Sequence, residues 1–273
     1  MPTIDSGGVS INYTDSGGEG RPVVLIHGWP LSGASWSEQV PALTDAGHRV
    51  ITYDRRGFGD SDKPEDGYDY DTFAGDLKAL LEELDLSDAT LVGFSMGGGE
   101  IARYVGAHGD ERLHSVVFAG AVPPYLLKSG DNPDGGLEDG DVEGMKDGVR
   151  EDRFGFLDGF TKDFFSADGE LKVTEVQRQE ALQLATPARD EAVVACIDAF
   201  GRTDFRNDLS RISVPTLVLH GDSDAIVPFE VSGRRTAEAI TGAQTVVVEG
   251  GPHGFNVSHA AEFNKALLDF LQK

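Results

Sequence analysis

A serine framed by glycines is the residue best suited to covalent chemistry in this chain. It is Ser95, within Gly93-Phe94-Ser95-Met96-Gly97-Gly98-Gly99. The run has the form G-x-S-x-G, with a strand-like run before it and a helical pattern after it. A strand that turns this sharply into a helix lifts the serine hydroxyl clear of the sheet, and the crowded turn favours glycine at its flanks. The first turn of the helix directs unpaired N–H groups at any oxyanion formed beside the serine. The serine needs a base, and the base needs an orienting carboxylate. In strand–turn–helix sites of this type the carboxylate and then the histidine follow the serine along the chain. His220-Gly221-Asp222-Ser223-Asp224 supplies the acid. Asp224 is assigned to it, and Asp222 is the competitor, better suited to capping the turn. His253, in Gly250-Gly251-Pro252-His253-Gly254, is the base. Among the 7 histidines it alone lies in a tight loop after the acid. His48, His108, His114 and His259 read as surface residues, and His27 and His220, beside glycines at strand ends, as structural hydrogen-bonders. The early loop His27-Gly28-Trp29-Pro30 supplies a second oxyanion donor, so that the Trp29 N–H joins the Met96 N–H. Pro30 has no N–H and restricts the backbone of Trp29. Metal-type spacing such as Cys-x-x-Cys is missing, and neither metal nor cofactor is expected.

These residues need a scaffold that brings distant loops together. Short β-branched runs recur at Val9 to Tyr13, Pro22 to His27, Arg49 to Asp54, Thr90 to Phe94, Ser115 to Ala119, Thr216 to His220 and Gln244 to Val248. Most are apolar throughout, which predicts strands buried on both faces of a parallel sheet. Helical patterns alternate with them. Asp71 to Leu84 places Phe73, Leu77, Leu80, Leu81 and Leu84 on one face, with Asp76, Lys78, Glu82 and Glu83 outside and Asp71 as N-cap. Further helices are predicted over Gly97 to Ala107, Glu230 to Ile240 and His259 to Leu271. The alternation predicts an α/β class, a doubly wound and mostly parallel sheet. One region breaks the rhythm. From Pro123-Pro124 to about residue 210 no buried strand is seen, only the polar stretch Lys128 to Asp141 and then several short helices. The expected organisation is a core of residues 1–122 and 211–273 with a helical cap, 123–210, inserted between two core strands.

Composition narrows the partners. The chain has 273 residues and a formal charge of −24, from 23 basic against 47 acidic side chains. Such a surface repels phosphate backbones and anionic lipid, so neither nucleic acid nor membrane is an expected partner. The N-terminal residues lack a basic and apolar leader pattern, and no run is long enough to span a bilayer. The single cysteine, Cys196, sits in an apolar stretch and reads as a small buried residue. A cytoplasmic location is expected.

The motifs carry a closer resemblance. Asp54-Arg55-Arg56-Gly57-Phe58-Gly59, the run Tyr68 to Asp76, Leu91 to Gly99, Thr203-Asp204-Phe205-Arg206 and Val227-Pro228-Phe229-Glu230 resemble the cofactor-free (non-haem) haloperoxidases of the α/β-hydrolase superfamily, the branch that includes bacterial arylesterases and perhydrolases. The resemblance covers essentially the whole chain. It implies an α/β-hydrolase fold of about eight strands and hydrolysis of small carboxylic esters through an acyl-enzyme on Ser95. It also implies that hydrogen peroxide can replace water, giving peracids that oxidise halide. In that branch a proline after the oxyanion-loop aromatic, here Pro30, accompanies stronger perhydrolysis, and leucine accompanies plain esterase behaviour. Trimers or hexamers are implied as well. Gly130 to Asp147 is more acidic than the branch pattern. An enol-lactonase or C–C bond hydrolase on the same triad, and a slow-turnover ligand-binding protein, are the alternatives.

Overall fold

The computed structural model describes residues 1–273. Strands β1 (Thr3–Ser6) and β2 (Val9–Asp15) form an antiparallel hairpin. Then come β3 (Pro22–Ile26), α1 (Gln39–Asp45), β4 (Arg49–Tyr53), α2 (Tyr70–Glu83), β5 (Ala89–Phe94), α3 (Met96–His108) and β6 (Leu113–Ala119). A long excursion follows: α4 (Asp139–Phe164), the small hairpin β7 (Ser166–Ala167) and β8 (Glu170–Leu171), α5 (Glu175–Ala185), α6 (Asp190–Arg202) and α7 (Arg206–Leu209). The chain returns to the sheet with β9 (Thr216–Gly221), α8 (Gly233–Ala239), β10 (Gln244–Val248), α9 (Phe255–Ser258) and α10 (Ala260–Leu271).

Eight strands form one sheet in the order β1-β2-β4-β3-β5-β6-β9-β10. It is parallel from β4 to β10, and β2 joins β4 antiparallel. This is the alpha/beta hydrolase fold. The chain passes from β3 to β4 on one side and then to β5 on the other, so the winding reverses between β3 and β5. In doubly wound sheets, loops at the carboxyl ends of the strands beside such a reversal form the ligand crevice. Ser95 follows β5, and the Trp29 loop follows β3.

Three local expectations are corrected. The N-cap of α2 is Asp69: its extended backbone lets its carboxylate accept the Thr72 N–H at 2.9 Å, whereas Asp71 lies inside the first turn and pairs with Arg103. Asp76 is buried rather than outward, because Arg56 meets its carboxylate with two hydrogen bonds of 2.6 Å. Finally, β10 is an edge strand, and Gln244 to Val247 are exposed although they read as buried. A run of valines does not reveal which end of a sheet it occupies.

Where several short helices are expected, α4 runs 26 residues with one break at Asp152 (φ −148°, ψ 86°). The Asp152 carboxylate caps the second half by accepting the Gly155 N–H at 2.9 Å. No helix is long and apolar enough to cross a membrane. Cys196 is fully buried in α6, and burial pushes its thiol up to about 12. It should resist Ellman's reagent in the native protein at pH 8 and react with one equivalent after denaturation. Rapid native labelling would contradict this packing.

Candidate active site

The turn from β5 into α3 puts Ser95 at φ 54°, ψ −118°, a region that L residues rarely adopt. Several bonds hold it there. Its N–H donates to the Ala119 carbonyl at 2.9 Å, and its carbonyl accepts from Gly98 at 3.1 Å and Val122 at 3.2 Å. The Ser95 Oγ lies 2.9 Å from His253 Nε2, and His253 Nδ1 lies 2.7 Å from Asp224 Oδ2. All three residues are buried. A carboxylate only accepts, so Nδ1 carries the proton and Nε2 is free to accept from the serine.

Asp224 is held from behind. Its Oδ1 accepts from the N–H groups of Ile226 at 3.0 Å and Val227 at 2.8 Å. Burial alone would raise its pKa, but His253 and His220 outweigh burial and hold it well below the usual carboxylate range. The competitor Asp222 is exposed and does not reach His253. It accepts the Gly250 N–H at 2.7 Å and ties the β9 loop to the loop carrying His253.

The Trp29 and Met96 N–H groups both lie at this edge of the sheet, and neither donates to a protein acceptor. The Trp29 indole is fixed, its Nε1 donating to the Val193 carbonyl at 3.1 Å. Phe160 and Phe200 stand edge-on to it at 5.0 and 5.6 Å. Pro30 is buried directly behind it, across a cis peptide bond. Above the serine is a cavity of about 460 Å³. Ser95 and Trp29 line it together with Val122, Leu126, Phe156 and Ile226, and Asp163 is its one charged side chain.

Sequence reasoning missed two parts of this arrangement. Phe164, at the end of α4, stands edge-on to the His253 ring at 4.9 Å, and its carbonyl accepts the Gly254 N–H at 2.7 Å. His220 bonds structurally as expected: its Nε2 donates to the Val227 carbonyl at 2.8 Å and also approaches Asp224 at 3.4 Å. Arg55 and Glu100 are buried beside the site as an ion pair. The signal for Glu100 was its place between Gly99 and Ile101 on a helix with few charged positions. His27 bonds structurally as expected: its Nε2 accepts the Arg55 N–H at 3.0 Å.

Burial and the nearby Arg55 charge hold the His27 pKa well below its usual value. The folded state therefore refuses a proton that the unfolded chain accepts below about pH 6.5. Stability is complete above that pH and falls as pH drops towards 5, by up to about 1.4 kcal/mol per pH unit for one such proton. The depressed Asp224 carboxyl adds a second loss below about pH 4. Urea midpoints measured between pH 7.5 and 5 should show the first decline, and a flat profile would contradict it.

An α/β sheet with a serine, a histidine and an aspartate meeting at its carboxyl edge defines a class, and the chain belongs to the alpha/beta hydrolase fold family, whose model matches residues 21–260. Within that family it is similar to the non-heme chloroperoxidase of Kitasatospora aureofaciens, at 48% identity over 97% of both chains. It is also similar to a bifunctional esterase/perhydrolase of Acinetobacter calcoaceticus, at 36% identity over 97% of both chains. Among solved structures, a bromoperoxidase from Bacillus anthracis is 55% identical, with a TM-score of 0.97 over 100% of this chain and 99% of its own. The protein is an enzyme of this superfamily with haloperoxidase and esterase homologues.

Proposed function

We propose that the protein is a serine esterase of small carboxylic esters that also performs perhydrolysis. The observation that carries the reading is the line Ser95–His253–Asp224 beneath an apolar cavity, with two unpartnered backbone N–H groups beside the serine. Ser95 Oγ attacks the acyl carbon as His253 Nε2 takes its proton. The Trp29 and Met96 N–H groups receive the charge that develops on the carbonyl oxygen. The imidazolium, held by Asp224, returns the proton to the leaving alkoxide or phenoxide, and an acyl-enzyme remains. Water or hydrogen peroxide then gives a proton to His253 and attacks the acyl carbon, which releases Ser95 with a carboxylic acid or a peracid. Free peracid oxidises halide by two electrons and is itself reduced to the acid. No step requires a metal or organic cofactor. In this reading residues 123–210 form the cap that shapes the acyl pocket, because α4 and α6 supply Phe156, Phe160 and Phe200 around it.

A p-nitrophenyl phosphonate tests the covalent step. It should release one equivalent of nitrophenol and leave its phosphonyl group on the Ser95 peptide, read by mass spectrometry. Ester turnover that survives without this adduct would overturn the reading. For the peroxide branch, Pro30→Leu should lower the ratio of peracetic acid formation to p-nitrophenyl acetate hydrolysis several-fold. An unchanged ratio would remove Pro30 from the account.

A further inference from the structure

We infer that the buried ion pair Arg55–Glu100 is a positioning device that sets the Trp29 and Met96 N–H groups against one another as a matched pair of oxyanion donors. The inference rests on the esterase reading above. Glu100 lies one helical turn beyond Met96 on α3 and is fully buried. Arg55, in the loop after β4, is 1% exposed. Its Nε donates to Glu100 Oε2 at 2.8 Å, and the Tyr53 hydroxyl donates to the other carboxylate oxygen. The same guanidinium reaches the oxyanion loop, where Arg55 Nη2 donates to the His27 carbonyl at 3.0 Å. The Arg55 backbone N–H donates to His27 Nε2 at 3.0 Å.

That last bond fixes the tautomer of His27. With Nε2 accepting, Nδ1 carries the proton, and it donates to the Gly28 carbonyl at 2.9 Å. The Gly28 carbonyl and the Trp29 N–H belong to one planar trans peptide and point in opposite directions. Holding the carbonyl therefore aims the N–H. A chain of contacts runs from Glu100 through Arg55 and His27 to the Trp29 N–H, while Glu100 itself is rigidly joined by α3 to the Met96 N–H. One carboxylate thus references both donors, which arise from loops separated by more than sixty residues of sequence. Stability alone does not account for the pair. Buried ion pairs commonly add little over apolar side chains of similar size, and here Arg55 Nη1 is left buried without a partner.

The test compares wild type, Glu100→Gln and the paired apolar replacement Arg55→Met with Glu100→Leu. Phenylboronic acid is the probe for the tetrahedral state on Ser95, and benzamide is the probe for simple occupation of the pocket. In Glu100→Gln, kcat for p-nitrophenyl acetate should fall at least about tenfold with KM within twofold, since one oxyanion donor is commonly worth more than that. Boronate affinity should fall in parallel, and benzamide affinity should not change. The paired replacement should fold with a melting temperature at or above that of Glu100→Gln and still show the kcat and boronate defects. A folded variant of either kind with wild-type kcat and boronate affinity overturns the positioning role, and so does parallel loss of benzamide binding. If wild type itself binds no boronate and hydrolyses no ester, the esterase reading fails and the inference falls with it.

Discussion

Replacing Ser95 with alanine should reduce both p-nitrophenyl acetate hydrolysis and peracetic acid formation by about 10⁴-fold or more, with circular dichroism and melting temperature preserved. In the proposed mechanism the two reactions share one acyl-enzyme, so they should fall together. Alanine leaves the backbone hydrogen bonds to Ala119, Gly98 and Val122 in place, because none of them involves the hydroxyl. Asp224→Asn should have a loss of similar order with a different signature. An amide can present its NH₂ to His253 Nδ1, which turns the imidazole to the tautomer that cannot accept from Ser95. The N–H bonds from Ile226 and Val227 would still be satisfied by the remaining oxygen. Peracid formation that persists in Ser95→Ala while hydrolysis is lost would separate the two activities and defeat the shared intermediate. A gas-tight assay with and without peroxide on one preparation is enough to decide.

The second large effect is expected at Gly93. A Cβ there would stand 2.5 Å from the Gly97 carbonyl oxygen and 2.7 Å from the Gly98 nitrogen. Both are backbone atoms of the first turn of α3, so no side chain can swing aside. Nor can α3 retreat freely, for a Cβ on Gly97 would itself stand 2.5 Å from the Ile26 carbonyl oxygen at the end of β3. Strand, helix and strand meet here at glycine contact distance. Gly93→Ala should therefore destabilise the fold by about 3 kcal/mol, the upper part of the overpacking range. It should also cut activity in whatever fraction remains folded, since Ser95 and the Met96 N–H ride on the displaced turn. Gly75→Ala is the control: this glycine lies within α2 with nothing inside 4 Å of the added Cβ. It should gain about 0.5–1 kcal/mol from helix propensity. Urea unfolding of the two variants beside wild type makes the comparison, and equal midpoints would refute the packing argument.

The candidate site is more legible in the sequence than its surroundings, and the reason is physical. Ser95, Asp224 and His253 each sit where a strand ends in a glycine-bearing loop, and such punctuation is local. The seven β-branched runs are likewise local, and each corresponds to a strand of the sheet. β1 passed unnoticed because Ile4 is its one buried residue. The two-way choice between Asp222 and Asp224 turned on which carboxylate faces inward, and in the structure Asp224 meets His253. What could not be read depends on partners far along the chain. Asp76 looked solvent-facing until Arg56 is brought over it, and Glu100 finds its partner only in Arg55, from the loop after β4. The length of α4 was hidden by Gly140, Gly144, Gly148, Gly155 and Gly159, which weaken its local pattern while tertiary packing holds it.

The left-handed backbone at Ser95 has an evolutionary meaning as well as a chemical one. At φ 54° a glycine would sit more comfortably than any side chain. The substitution that relaxes this residue is also the one that deletes the proposed nucleophile. If Ser95 is the nucleophile proposed above, drift towards a more stable protein points, at this one position, towards an inactive one, and selection for turnover opposes it. Inactive descendants of this lineage should accordingly be recognisable by a glycine at the elbow in an otherwise unaltered turn.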